Sequence, residues 1–148
     1  MLGENTLKQK QEETAISYDL LKSAVEFHGH LGPFLVLGLK AGLLANSLLG
    51  KDCFETTAVV ATDPNPPHSC FIDGVQFVTG CTMGKGNIKI KRSKSIYALF
   101  LKGGRKLKLD LRRDILDIIR NASSEKGSEK VALELLRKPA HELFIVEE

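Results

Sequence analysis

The chain has 148 residues, 43% of them hydrophobic and 26% charged, with a formal net charge of +3 at pH 7. This is ordinary globular usage, and the length sets an expectation of one domain with a single core over residues 1–148. The longest apolar run, 33–49, is interrupted by Lys40 and Asn46 and falls short of the ~20 residues of a membrane span, and the polar start MLGENTLKQKQEE has no signal-peptide core.

These features point to a cytoplasmic protein with no membrane partner. In that compartment Cys53, Cys70 and Cys81 stay reduced, and metal binding or reactivity outranks disulfides.

Residues 1 to about 13 read as a frayed or weakly helical start. In ISYDLLKSAVEF (16–27) the apolar residues at 16, 20, 21, 24, 25 and 27 form a helical stripe. A second helix is expected from Pro33, because proline suits the first helical position, with Gly50 at its end. It is apolar nearly all round and should be central, and Gly38 and Gly42, one turn apart, clear a strip for close packing.

ETTAVVAT (55–62) has the β-branched content of a strand. The prolines of DPNPPHS (63–69) forbid regular structure. FIDGVQFVT (71–79) suits a short helix that runs into the glycine-rich loop TGCTMGKGN (79–87). IKIKR (88–92) resumes a strand. IYALFLK (96–102) and RKLKLDL (105–111) flank Gly103-Gly104, a hairpin signal whose register pairs Leu107 with Phe100 and Leu109 with Ala98. Helices are expected at 112–122 and 128–138, and ELFIVE (142–147) suits an edge strand. The order predicts an α+β fold: N-terminal helices packed on a mainly antiparallel sheet, with additional C-terminal helices.

Charge is unevenly placed. Eleven of the 21 Lys and Arg lie between Lys85 and Arg113, where Asp110 is the only acid, whereas residues 1–84 carry five basic and nine acidic side chains. A basic segment of this kind suits a nucleic acid or an anion. The alternation of apolar and charged residues in 88–92 and 106–111 suits a half-exposed sheet face better. No aromatic residues interleave with the lysines to stack bases, so nucleic acid is disfavoured. Tyr97, Leu99 and Leu101 share that second face with Lys106 and Lys108, an apolar patch that calls for cover from helices of the same chain or from a second copy.

Three of the four histidines (28, 30, 68) and two cysteines (70, 81) sit at joints between elements. In extended backbone the imidazoles of His28 and His30 share a side and could converge on one ion; the competing reading is a helix-capping histidine beside a surface one. Cys70 falls at a helix N-terminus, where the dipole favours a thiolate, although a buried structural thiol is the common alternative. His68 is near enough in sequence to assist. An unbroken helix would set Cys70 and Cys81 ~16 Å apart, so Cys81 joins a shared site only if the chain folds back. The loop GCTMGKG fails the spacing of a nucleotide-phosphate loop, but its N–H groups and Lys85 could meet an anion, or it could be a plain tight turn.

FHGHLGPFLVLG followed by SCFIDGVQFVTGCTMGKGNI resembles the family of E-type subunits of formylmethanofuran dehydrogenase over roughly residues 25–90. That family's pattern is approximately HGHxCPG, then CxxDAIQ, then TGCTxGKGN. His28 and His30 match the first motif. Cys70, Asp73 and Gln76 match the second, with Gly74 and Val75 in place of the alanine and isoleucine. Thr79, Gly80, Cys81, Thr82, Gly84, Lys85, Gly86 and Asn87 match the third. The frequent cysteine of HGHxC is Gly32 here, which removes a soft ligand and favours a three-ligand, open site.

The resemblance implies an α+β fold, a metal-associated cleft and frequently a dimer. It also implies a link to one-carbon metabolism such as methanogenesis, and to an oxidoreductase carrying molybdenum or tungsten. Nothing in the chain resembles that enzyme's large pterin-binding or iron–sulfur components. Joined to the motifs, the resemblance gives a metal set of His28, His30, Cys70 and Cys81, with zinc as occupant because mixed imidazole and thiolate ligation suits it. Cys70 and Asp73 are the catalytic candidates. Gln76, Thr79, Thr82, Lys85 and Asn87 are the residues expected to hold a cofactor or small anionic ligand. The function expected is a metal-binding accessory or regulatory protein that partners formylmethanofuran dehydrogenase components, as a homodimer. The alternatives are a small zinc enzyme activating water or a thiol, and nucleic-acid binding through 85–113.

Overall fold

A computed structural model describes residues 14–122 and 124–148, so the expected frayed start at 1–13 lies outside the described residues. Helix α1, Tyr18–His28, opens on Ser17, whose Oγ accepts from the Leu20 N–H at 3.1 Å. A Ser cap of this kind satisfies one of the unpaired donors of a first turn. The helix stops at Gly29, which takes φ +112°, a conformation open chiefly to glycine. Helix α2, Pro33–Leu49, starts at the proline as expected, and 13 of its 17 residues are buried, which makes it the hub of the molecule.

The apolar residues of α2 serve two layers. Val36, Leu37, Ala41 and Leu44 join the main core against the sheet, whereas Leu35 and Leu39 pack with Ala24 and Val78 in a second cluster. The helix is therefore apolar on nearly every side because nearly every side is covered. Its last carbonyls are met by cations from the hairpin. Lys102 Nζ donates to Leu49 O and Gly50 O, both at 3.0 Å, and Arg105 Nη1 donates to Leu48 O at 2.9 Å. Two of the clustered basic residues thus complement the negative end of the central helix.

Strand β1 spans Thr57–Thr62 and is followed by helix α3, Cys70–Thr79. Strands β2 (Ile88–Arg92), β3 (Tyr97–Lys102) and β4 (Arg105–Leu111) come next. Helices α4 (Arg113–Asn121), α5 (Glu125–Arg137) and α6 (Ala140–Leu143) then lead to β5, Phe144–Glu147. The sheet order is β2-β1-β3-β4-β5. β1 and β2 are parallel and the other pairs antiparallel. A parallel pair needs a crossover, and that crossover is the segment carrying α3 and the glycine-rich loop.

The hairpin register is as the sequence predicts, Phe100 opposite Leu107 and Ala98 opposite Leu109. Gly103 and Gly104 both take positive φ, +54° and +80°, as a two-residue turn matched to strand twist requires. Ala58, Val60, Ala98, Phe100, Leu107 and Leu109 face the core and are all 0% exposed. The opposite face carries Val59, Leu99 and Leu101 in register with Lys89, Lys108 and Lys106. The expected edge strand is there, preceded by a short helical turn, Ala140–Leu143. The fold is α+β, a five-stranded, mostly antiparallel sheet with helices before and after it. Among the described residues no helix is long and apolar enough to cross a membrane.

The tightest packing is between α2 and α3. A Cβ added to Gly38 would lie 2.3 Å from Phe71 O and 2.9 Å from Gly74 Cα, and one added to Gly74 would lie 2.5 Å from Leu35 O. Those neighbours are backbone and cannot step aside by changing rotamer. Gly38→Ala is therefore expected to force the helices apart and cost about 3 kcal/mol, the upper range for one surplus carbon in a packed core. Denaturant unfolding of the variant beside the parent measures it; a loss below about 0.5 kcal/mol would contradict the close contact.

Candidate metal centre

The two histidines lie where α1 hands the chain to α2. His28 is the last residue of α1, Gly29 turns the backbone through the left-handed region, and His30 follows. The rings converge, with Nε2 of His28 and Nε2 of His30 3.1 Å apart and ring centroids 4.6 Å apart. Convergence was expected from extended backbone; a glycine-only turn at a helix end achieves it instead. Cys70 enters from the first residue of α3. One donor atom each from His28, His30 and Cys70 lies within 4.8 Å of the others.

This donor set fits a transition metal. Tetrahedral zinc with nitrogens at ~2.0 Å sets two ligand nitrogens about 3.3 Å apart, close to the separation of the two Nε2 atoms. A thiol on the same site needs a shift of about 1 Å from the widest spacing of the cluster, within reach of a side-chain rotation. The other ring nitrogen of His28, Nδ1, is 2.6 Å from Oδ2 of Asp73, and the His28 side chain is only 8% exposed. That contact fixes the tautomer: Nδ1 carries the proton and donates it to the carboxylate, leaving Nε2 free to ligate. Asp73, one of the two catalytic candidates of the sequence, lies against His28 and orients it.

The helix N-terminus does not activate Cys70 as its position suggested. The residues before it form tight turns, and although its own N–H, which also donates to Pro67 O at 3.1 Å, acts to lower the thiol pKa, that effect is outweighed. Burial, followed by the Asp73 charge, pushes the thiol above its ordinary range. The free thiol is therefore held protonated by its surroundings, and a bound cation is what would favour thiolate.

Cys81 and His68 are not brought into the cluster. Cys81 is 0% exposed, and its Sγ donates to Thr56 O at 3.4 Å. Burial pushes its thiol up as well. The ring of His68 stacks on Phe34, centroids 4.7 Å apart, and burial lowers its pKa. The sequence marks Gly32 as a missing soft ligand and, with Gly29, as a place where the helix can end. In the fold a Cβ at this position would sit 3.2 Å from Cε1 of His30, so position 32 adjoins the centre. A hollow of about 390 Å³ lies between α1, α3 and the glycine-rich loop, the loop expected from the sequence to border a cleft. Phe27 and Met83 line this hollow and are 57% and 62% exposed.

The residues expected to hold a ligand are bonded to one another or to the backbone around them. Thr79 Oγ1 donates to Val75 O at 2.6 Å and accepts from Cys81 N at 3.1 Å. Gln76 Oε1 accepts from Met83 N at 2.9 Å. Asn87 accepts from Thr82 N at 2.9 Å and donates to Cys53 O at 2.7 Å and Thr56 O at 3.3 Å. Lys85 Nζ is exposed and donates to Thr82 Oγ1 at 2.9 Å. Asn87 therefore staples the loop to the segment before β1, whereas the Lys85 side chain bonds only to Thr82 at the surface among the described residues. Asn87→Ala is expected to lower stability by about 2 kcal/mol, the cost of leaving part-buried amide partners unpaired. Lys85→Ala should leave the Tm within about 1 °C, as for a surface change. Paired thermal melts test both, and equal effects would contradict the assignment.

Comparison with known proteins gives the geometry its context. A stretch of 71 residues, 47% of this chain, is 37% identical to a protein of Archaeoglobus fulgidus described as "Probable S-adenosyl-L-methionine-binding protein", and the match spans 19% of that protein's length. The model of the family described as "FmdE, Molybdenum formylmethanofuran dehydrogenase operon" matches residues 27–145, a span that takes in the histidine pair, Cys70 with Asp73, and the stapled loop. On that match over most of its length, the chain belongs to the FmdE family.

Proposed function

We propose that this chain is a zinc-binding accessory or regulatory protein of formylmethanofuran dehydrogenase, acting in the cytoplasm as a single FmdE-like domain. Family membership supports the association with that enzyme and with one-carbon metabolism. The observation that carries the metal reading is the grouping of His28, His30 and Cys70 donors within 4.8 Å, with Asp73 fixing the tautomer of His28. Gln76, Thr79, Thr82 and Asn87 spend their polar ends within the protein, and Lys85, exposed and bonded to Thr82 Oγ1 at the surface, is the cation of the loop that would meet the anionic end of a ligand.

A second reading, a small metalloenzyme, is favoured by one feature: the set offers three protein ligands, and glycine stands where the family often has cysteine. When bound, zinc with one open position supplies activation of water near neutral pH. In that case Asp73 keeps His28 in the ligating tautomer, and the exposed His30 side of the site admits substrate.

Cobalt(II) and zinc titrations of the parent, His30→Ala, Cys70→Ala and Gly32→Cys proteins, all without a histidine tag, test the centre. Loss of a ligand in either alanine variant should weaken zinc at least about tenfold, the scale on which even supporting residues matter. Cys70→Ala should also abolish the sulfur-to-cobalt charge-transfer band. Gly32→Cys should strengthen binding and close the coordination. Unchanged affinity in both alanine variants would refute the site.

A homodimer is the proposed assembly. It is supported by the apolar stripe of Val59, Leu99 and Leu101 on the sheet's second face, where Leu101 is 39% exposed. Leu99→Asp is expected to shift light scattering across a dilution series to the monomer mass; a parent protein that is monomeric at the highest concentration would remove the dimer.

A further inference from the structure

A second cavity lies away from the metal centre and shares no residue with it. It encloses about 540 Å³ between the turn joining β2 to β3 and the outer side of α4. That volume is within the range of small-molecule sites, roughly 300–1,000 Å³. Its floor is apolar: Ile96 is 2% exposed and Leu116 9%, with half-buried Leu111 between the sheet and the helix. Its rim is cationic: Lys94, Arg113 and Arg120 are exposed and line the mouth. Among the described residues none of the three forms an ion pair within 4.0 Å. Asp117 is the one acid of the lining, so three cations against one carboxylate leave a net charge of +2.

The backbone of the turn that forms one wall is held in place. The turn is pinned at one end by Ser93 N donating to Thr62 O at 3.0 Å and at the other by Leu111 N donating to Ile96 O at 2.9 Å. Within it, Ser95 N donates to Ser93 Oγ at 3.2 Å. Arg113 and Arg120 project from one helix, two turns apart. A cavity wall of two guanidinium forks and an ammonium matches phosphate oxygens, which take several charge-assisted hydrogen bonds at once. The apolar floor matches the body of the molecule that bears the phosphate.

We propose that this cavity binds a small phosphoester with an apolar body, phosphate on Lys94, Arg113 and Arg120 and body on Ile96, Leu111 and Leu116. The proposal is independent of the metal reading. Such a site would let the FmdE-family chain respond to a phosphorylated small molecule while its metal centre stays intact.

Calorimetric titration of the full chain with AMP and phenyl phosphate is the test, with adenosine and inorganic phosphate as partial ligands. At least one phosphoester should bind with a Kd below 1 mM, and the corresponding partial ligands at least ten times more weakly. Arg120→Ala and Lys94→Ala should each weaken the phosphoester at least fivefold, with zinc content and Tm unchanged because both side chains are exposed. Failure of both phosphoesters to bind below 10 mM would overturn the proposal. So would affinity that survives both substitutions, or that is lost in Cys70→Ala instead. A single-stranded oligonucleotide that binds more tightly than either phosphoester, through the same two residues, would also overturn it and assign the rim to nucleic acid.

Discussion

The contact on which the rest of the molecule depends is the backbone-to-backbone approach of α2 and α3 at Gly38 and Gly74. Glycine on both sides lets a carbonyl of one helix lie where a side chain would otherwise stand. His28 and His30 lie just before α2, and Cys70 and Asp73 lie in the first turn of α3. Bringing the helices together therefore assembles the donor set. Separating them by even one methyl group would act directly on the distances between those donors.

Electrostatics at the centre follows from that packing. The enclosure that shields His28 also raises the pKa of Cys70, and the carboxylate that orients His28 raises it further. Both effects hold the metal-free thiol neutral. A cation in the middle of the set reverses the balance, because it rewards the thiolate and the neutral imidazoles together.

The basic segment has no single role. Lys102 and Arg105 close the C-terminus of α2. Lys89, Lys91, Lys106 and Lys108 stand on the sheet's second face beside the apolar stripe. Lys94 and Arg113 belong to the rim of the second cavity. Charge that is clustered in sequence is divided among different surfaces by the turns of the hairpin and the entry into α4.

The sequence alone determined the elements and much of the chemistry. Period-2 alternation, the Gly103-Gly104 turn and Pro33 each act within a few residues, so the hairpin register and the start of α2 were legible locally. The clustering of histidine and cysteine at joints was legible for the same reason, as was the family pattern. Only tertiary structure decided which of those residues meet. Local pattern could not say that Cys81 would be spent on Thr56, that His68 would stack on Phe34, or that Asp73 would face His28. Those pairings join residues 25, 34 and 45 positions apart, beyond the reach of any local pattern. The depression of the Cys70 pKa expected from a helix N-terminus failed for a similar reason: burial and a neighbouring carboxylate are properties of the packed molecule and outweigh the local dipole.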